Sequence, residues 1–425
     1  MTKIPFLTLI HDYVCFHAET TPDKLFLSSL EAELTYADAL KFVNAAAKSL
    51  MDIGIAKGDR VAWFGNPTPS FFLHFLATSS IGAIWTGLNP KYTESELAYV
   101  VGDARPKLIF AQVNASGQDR TEELTDLATS VDGTLVALGG KSTLAQAFEA
   151  FTARGNTISD AALSTRRASI DPMDPAFIVY TSGTTGRPKG ALLHHKGANF
   201  CNTIAVERKG LLGRSIICNL PINHVGSLSD ICGRTMTGGG TIHFQETFDP
   251  IAMMQLIEEK RIDTWGAVPA VFQMSIASPV FAKADLSSIE LLAWGGARMP
   301  RDLIATLIQK TGAKACTMGY GMTETIGGVT YSRLDDTLEV LSETIGTPDP
   351  RQPIRLWHDE NRLAGVGEQG EIQVYGDFVM RGYWGRPDAT NDAFSEDGWL
   401  KTGDLATVRA DGNLEIVGRM SEMYK

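Results

Sequence analysis

The chain has 425 residues, 44% of them hydrophobic and 20% charged, with a formal net charge of −11. This is the composition of a globular protein long enough for two or three packed lobes, and it excludes a disordered or fibrous chain. The acidic balance disfavours a nucleic-acid-binding surface and leaves any anionic ligand dependent on locally built positive charge.

Thr35 reads as a helix cap, followed by Leu40, Val43, Ala47, Leu50 and Ile53 three or four apart, with Gly54 ending the run. Arg60–Phe64 reads as a strand, Phe71–Gly82 as a buried helix and Lys107–Ala111 as a second strand. From Asn114 to Ile170 small and polar residues dominate, including a surface segment near Gly155–Arg167. Phe177–Tyr180 and Ala191–Leu193 are short apolar runs, so the loop between them joins two strands. Ile262–Val268, Leu291–Trp294 and Ala315–Met318 are further strands. Pro300 opens a helix with the stripe Leu303, Ile304, Leu307 and Ile308, closed by Gly312. Strand–helix alternation of this kind specifies an α/β fold with mainly parallel sheets covered on both faces. After about Thr337 the texture changes to short strands between Gly, Pro and Asp turns: Ile345–Thr347, Ile354–Trp357, Glu371–Tyr375 and Asn413–Val417. That pattern specifies a small antiparallel barrel or sheet.

Cys15, Cys201, Cys218, Cys232 and Cys316 are scattered and form no Cys-x-x-Cys pair, which reads as reduced thiols of a cytoplasmic protein, not as a zinc site. No basic segment leads into an apolar run at the N-terminus, and no apolar stretch reaches the ~18–20 residues that span a bilayer.

The densest chemistry lies in Tyr180-Thr-Ser-Gly-Thr-Thr-Gly-Arg-Pro-Lys-Gly190. Glycines let backbone N–H groups converge, Thr181, Ser182, Thr184 and Thr185 supply hydroxyls, and Arg187 and Lys189 supply charge. Such a loop suits a polyphosphate. It is not the kinase and GTPase pattern Gly-x-x-x-x-Gly-Lys-Ser/Thr, because Pro188 and Gly190 stand where the second glycine and the hydroxyl belong. The loop resembles the phosphate-binding signature of the adenylate-forming (AMP-binding) enzymes, which include acyl-CoA and aryl-CoA synthetases.

The resemblance extends in order along the chain. Gly319-Tyr-Gly-Met-Thr-Glu-Thr325 follows a strand, where ligands of α/β sheets bind. On the residues alone, Tyr320 offers a stacking face, Thr323 a hydroxyl and Glu324 a hard oxygen ligand, or the string is a turn with a helix cap. The resemblance implies that Tyr320 stacks on adenine, Thr323 contacts the α-phosphate and Glu324 binds magnesium. It gives Asp404, in Thr402-Gly-Asp404, the ribose hydroxyls, and Arg419 ribose or phosphate. Gly295, Gly296 and Ala297 match the segment lining the adenine and acyl pockets. His224 matches a position beside the substrate carboxylate. Val225, Gly226, Trp294, Gly295, Met318, Gly319, Gly327 and Gly328 match the acyl pocket. Gly319 and Gly321 give close backbone approach, and Gly183 and Gly186 belong to the phosphate loop with Lys189.

As a whole, the resemblance implies two α/β subdomains (about 1–170 and 171–336) and an antiparallel β-barrel subdomain (about 337–418), forming one large domain over 1–420. It implies ATP, magnesium and coenzyme A as cofactors and an acid–thiol ligase reaction. No cation or acid stands out in the matched pocket, so the expected substrate is a hydrophobic monoacid, aromatic or arylalkanoic. The other readings are an adenylation domain that loads a carrier protein, and a non-catalytic nucleotide- or acid-binding protein. The family places a hinge Asp or Lys two residues past the arginine, then a C-terminal domain of about a hundred residues with a second lysine. Here that position is Ser421 and the sequence ends at Lys425. The expectation is a large domain alone, with a hinge at 421–425, that adenylates slowly and forms thioester poorly.

Overall fold

The computed structural model describes residues 4–137, 151, 153–181, 187–358 and 361–423. Local signals place the early elements as the sequence specifies. Thr35 accepts from the backbone N–H of Asp38, and the Asp38 carboxylate accepts from the Thr35 N–H, a reciprocal cap on the helix Tyr36–Asp52. Its Val43, Ala46, Ala47 and Leu50 are fully buried. The helix Pro69–Ser79 is buried on every side, with Phe71, Phe72 and Phe75 packed among Trp85 and Phe177. The helix Arg301–Thr311 ends where Gly312 turns to φ +71°.

Three sheets organise the chain. The first has six strands in the spatial order Thr134–Ala137, Leu108–Ala111, Arg60–Phe64, Ile84–Leu88, Pro175–Thr181 and Lys189–His194. All its pairings are parallel except the last, an antiparallel hairpin. The second has nine strands. Its parallel centre runs Ala315–Met322, Leu291–Gly295, Thr264–Ala267, Ser215–Cys218, Thr241–Phe244 and Leu25–Ser28. Antiparallel strands close each edge: Glu33–Thr35 on one side, Gly327–Tyr331 and Thr347–Pro348 on the other. The third is a five-stranded antiparallel sheet, Arg362–Leu363, Ile354–His358, Gln369–Val374, Leu400–Val408 and Leu414–Arg419.

The mixed, mainly parallel α/β architecture is as expected, with two corrections. The third sheet is antiparallel, but among the described residues no ladder joins its first strand to its last, so closure into a barrel is not shown. Ile345–Thr347 does not start that sheet: Thr347 pairs with Tyr331 at the edge of the second sheet. Sheet membership is not contiguous along the chain. Leu25–Ser28 joins the second sheet, and Pro175–Thr181 and Lys189–His194 join the first. The apolar patterns mark strands, but the partner of each strand is set by packing across the chain. One buried cluster runs through all three sheets, from Phe26 and Trp63 to Cys218, Ile372 and Leu400. Among the described residues no helix is long and apolar enough to cross a membrane. The five cysteines are free thiols, and all but Cys15 are buried.

Candidate active site

The phosphate-loop motif sits on the hairpin of the first sheet, as its flanking apolar runs specify. Thr181 pairs with Lys189 as the last rung, and the Thr181 hydroxyl donates to the Lys189 carbonyl at 3.5 Å. Ser182, Gly183, Thr184, Thr185 and Gly186 lie outside the described residues. The base of the hairpin is clamped from both sides. The Tyr99 hydroxyl donates to the Pro188 carbonyl at 2.8 Å, and the Tyr180 hydroxyl to Asp103 at 2.8 Å. The segment 380–386 runs along the outer strand, with Trp384 N–H donating to the Gly190 carbonyl at 2.7 Å and Arg386 paired to Asp103 at 2.6 Å.

That segment contributes a residue the motifs did not reveal. The Tyr383 hydroxyl donates to Glu324 Oε1 at 2.7 Å, and Lys189 Nζ lies 5.2 Å from the Tyr383 ring centroid. Tyr383 therefore connects Lys189 and Glu324. Burial first, then the Glu324 carboxylate, raises its pKa, so it stays a proton donor. Its one sequence signal is a Tyr-Trp pair between glycines, which reads equally well as a turn.

Tyr320, Asp404 and Arg419 form a second group. Asp404 and Arg419 are cross-strand partners in the third sheet, and Asp404 Oδ1 lies 3.3 Å from Arg419 Nε. The Tyr320 hydroxyl donates to Asp404 Oδ2 at 2.7 Å. Burial and the carboxylate together raise the Tyr320 pKa. The cluster joins the second sheet to the third. Asp404 already holds one partner on each oxygen, and each oxygen keeps a further lone pair for a hydroxyl donor.

Thr323 and Glu324 form a single turn between the antiparallel strands Ala315–Met322 and Gly327–Tyr331. Gly321 is needed there, because a β-carbon would stand 1.9 Å from the Gly327 carbonyl oxygen. Beside this turn a cavity of about 340 Å³ brings together His224, Val225, Gly226, Trp294, Gly295, Gly296, Gly319, Gly321, Thr323, Gly327 and Gly328. The size suits a small organic molecule. His224 is exposed at its mouth, and the surrounding walls lower its pKa by desolvation.

Two expectations change. Met318 does not line the cavity: it pairs with Trp294 in the strand register and packs into the core with Ile304 and Leu307. Ala297 is exposed beyond the strand Leu291–Gly295, outside this cavity. The pocket is not free of charge, since Lys209, Asp230 and Arg234 line it. Lys209 stands in the last turn of the helix His195–Lys209, a position that normally carries a solvated cation. Here the strand bearing Tyr331 and the segment bearing Asp230 cover it.

The donor set fits magnesium held together with nucleotide phosphates. Glu324 is buried, and only its Oε1 is engaged by a side chain among the described residues. No group of three or more His, Cys, Asp or Glu among them forms a self-sufficient metal cage. Magnesium commonly takes one or two carboxylates and completes its shell with phosphate and water.

Comparison with known proteins agrees with this arrangement. The family model described as AMP-binding enzyme matches residues 16–384. The chain is 32% identical over 391 residues to a feruloyl-CoA synthase of an Amycolatopsis species, covering 92% of the chain and 74% of the relative. It is 31% identical over 418 residues to an indoleacetate–CoA ligase of Aromatoleum aromaticum, covering 97% and 79%. The crystal structure of ATP-bound MatB from Rhodopseudomonas palustris superposes with a TM-score of 0.84 at 28% identity, covering 97% of this chain and 78% of that one. On the fold, the clustered residues and these matches, the chain belongs to the AMP-binding family of adenylate-forming enzymes, acid–thiol ligases that use ATP, magnesium and coenzyme A.

Proposed function

We propose that this chain activates a hydrophobic acid, aromatic or arylalkanoic, as its acyl-adenylate for transfer to coenzyme A. The observation that carries the reading is the cavity beside Thr323, with apolar walls from Leu211, Ile216, Val225, Val268 and Ile231. Two relatives act on arylalkyl or arylalkenyl acids by their names, feruloyl-CoA synthase and indoleacetate–CoA ligase.

In this reading each site residue has one task. The loop from Thr181 to Lys189 holds the leaving phosphates. Thr323 donates to the α-phosphate, Tyr320 stacks on the base, Asp404 accepts from the ribose hydroxyls, and Arg419 fixes Asp404 and reaches ribose or phosphate. Gly296 and Ala297 give the base its backbone edge, and His224 orients the substrate carboxylate. Magnesium, when bound through Glu324, neutralises charge on the phosphate oxygens. A carboxylic acid is ionised at neutral pH, so no general base is needed. Its oxygen attacks the α-phosphorus, the bond to the pyrophosphate oxygen breaks, and pyrophosphate leaves with the electron pair. The thiol of coenzyme A then attacks the acyl carbon and AMP leaves. Positioning and electrostatics supply the rate. The unpaired thiols fit a reducing compartment, and we assign the protein to the cytoplasm on that ground.

The test is pyrophosphate release with a panel of acids, followed by AMP and thioester detection with coenzyme A or a carrier protein as acceptor. Release with arylalkanoic acids above acetate and amino acids supports the reading. Preference for acetate or an amino acid, or transfer only to a carrier protein, overturns it.

A further inference from the structure

The inner end of the cavity is charged. Lys209 and Arg234 are only 6% and 5% exposed, while His224 at the mouth is exposed, so the two cations mark the floor. Arg234 forms an ion pair with Asp230 one helical turn earlier. The pair leaves one donor over: Arg234 Nη2 meets Asp230 Oδ1, while Arg234 Nε is buried without a hydrogen-bond partner among the described residues. Lys209 Nζ has no hydrogen bond or ion pair among the described residues, only the face of Tyr331 at 6.0 Å from its centroid. The cluster of one lysine, one arginine and one aspartate carries a net positive charge.

The neighbouring strands make room for this group. A β-carbon on Gly319 would stand 3.1 Å from Lys209 Nζ, and one on Gly327 would stand 2.6 Å from Asp230 Oδ1 and 3.0 Å from Arg234 Nη2. Two backbone positions without side chains thus face three charged ones. Buried cations with unsatisfied donors are costly unless a ligand or water completes them. An apolar monoacid reaching this floor would leave them dry and unpaired.

We propose that the acid bears, at the end far from its reacting carboxylate, an oxygen acceptor that Lys209 and Arg234 bind. This rests on the preceding reading and adds a polar terminus to its apolar body. The acceptor is either the oxygen of a hydroxyl on an aromatic ring or a second carboxylate. With a hydroxyl, the O–H donates a hydrogen bond to the Asp230 carboxylate while Lys209 donates to the hydroxyl oxygen. With a carboxylate, the cluster's excess positive charge is neutralised.

The experiment is calorimetric binding of 4-hydroxycinnamate, 4-carboxycinnamate and 4-methylcinnamate to the 425-residue chain. Either oxygen-bearing acid should bind at least about tenfold more tightly than the methyl compound, because unmet buried donors discriminate strongly. The order of the first two distinguishes hydroxyl from carboxylate. Lys209→Met should erase the difference while leaving 4-methylcinnamate bound as well or better. Equal or tighter binding of the methyl compound to the native chain overturns the proposal, as does an unchanged preference in a folded Lys209→Met. If that variant does not fold, the native panel alone decides. Pyrophosphate release from the same acids separates the two readings. No release with any acid removes the ligase reading of this chain, whereas release without an oxygen preference removes only the polar floor.

Discussion

The Tyr383 hydroxyl donates to the Glu324 carboxylate at 2.7 Å, across 59 residues of sequence. The contact fixes the carboxylate we assign to magnesium and ties it to the segment clamping the phosphate hairpin. Tyr383→Phe keeps the ring beneath Lys189 and removes only this bond. We expect a stability loss of ~1.5–3 kcal/mol by denaturant titration, typical of a hydrogen bond to a charged acceptor. We also expect the magnesium concentration for half-maximal pyrophosphate release to rise several-fold. An unchanged magnesium dependence would remove Tyr383 from the site.

Asp404 holds Tyr320 on one oxygen and Arg419 near the other. Asp404→Asn keeps the shape and removes the charge. ATP should bind about tenfold more weakly by calorimetry, as ribose hydroxyls lose a charged acceptor. If ATP affinity is unchanged, the carboxylate serves only to join the two sheets.

Lys209 gives a pH signature. Burial lowers its pKa to about 7, with Arg234 lowering it further and Asp230 opposing. The ammonium form prevails below pH 7 and is lost above it. Preference for oxygen-bearing acids over 4-methylcinnamate should therefore fall between pH 6 and pH 8.5, and Lys209→Met should flatten the profile. A flat profile in the native chain would show that the ammonium does not contribute to recognition.

Buried histidines lower stability in acid, His74 and His195 among them. Burial lowers the His74 pKa to about 4 and the His195 pKa to about 3. Both are neutral when folded. The unfolded chain, with histidine near 6.5, binds more protons between that value and the folded pKa. Stability should fall as pH drops below about 6.5, by on the order of 2 kcal/mol for each residue at pH 5. His195→Gln should reduce the slope of denaturation midpoint against pH, and an unaltered slope would refute its part.

What the sequence made legible was local. The cap at Thr35, the stop at Gly312 and the hairpin around the phosphate loop all follow from residues within a few positions of one another. The order of motifs grouped Thr323, Glu324 and Asp404, and the structure sets Thr323 and Glu324 on the turn that follows Tyr320, whose hydroxyl holds Asp404. Lys209 was illegible, because a lysine at a helix end is ordinarily solvated, and its cover comes from residues 230–331. Tyr383 was hidden for the same reason: its partners are a strand nearly two hundred positions earlier and a turn in another sheet. Met318 differs in the opposite sense. It directly precedes the Gly319–Thr325 motif, but its side chain packs in the core with Ile304 and not on the cavity wall.

The strand Leu25–Ser28 has a consequence for the order of assembly. Its edge partner Glu33–Thr35 follows at once, but its inner neighbour begins 216 residues later, where the Thr241 hydroxyl donates to the Leu25 carbonyl. At ~5–20 residues per second of synthesis, the strand waits roughly 10–40 s for that neighbour to be made. During that interval Phe26 and Leu27, fully buried in the finished protein, have no second sheet to enter. A chaperone-binding site on the nascent chain is therefore expected at this strand, and swapping slow for fast codons before residue 241 should change the soluble yield.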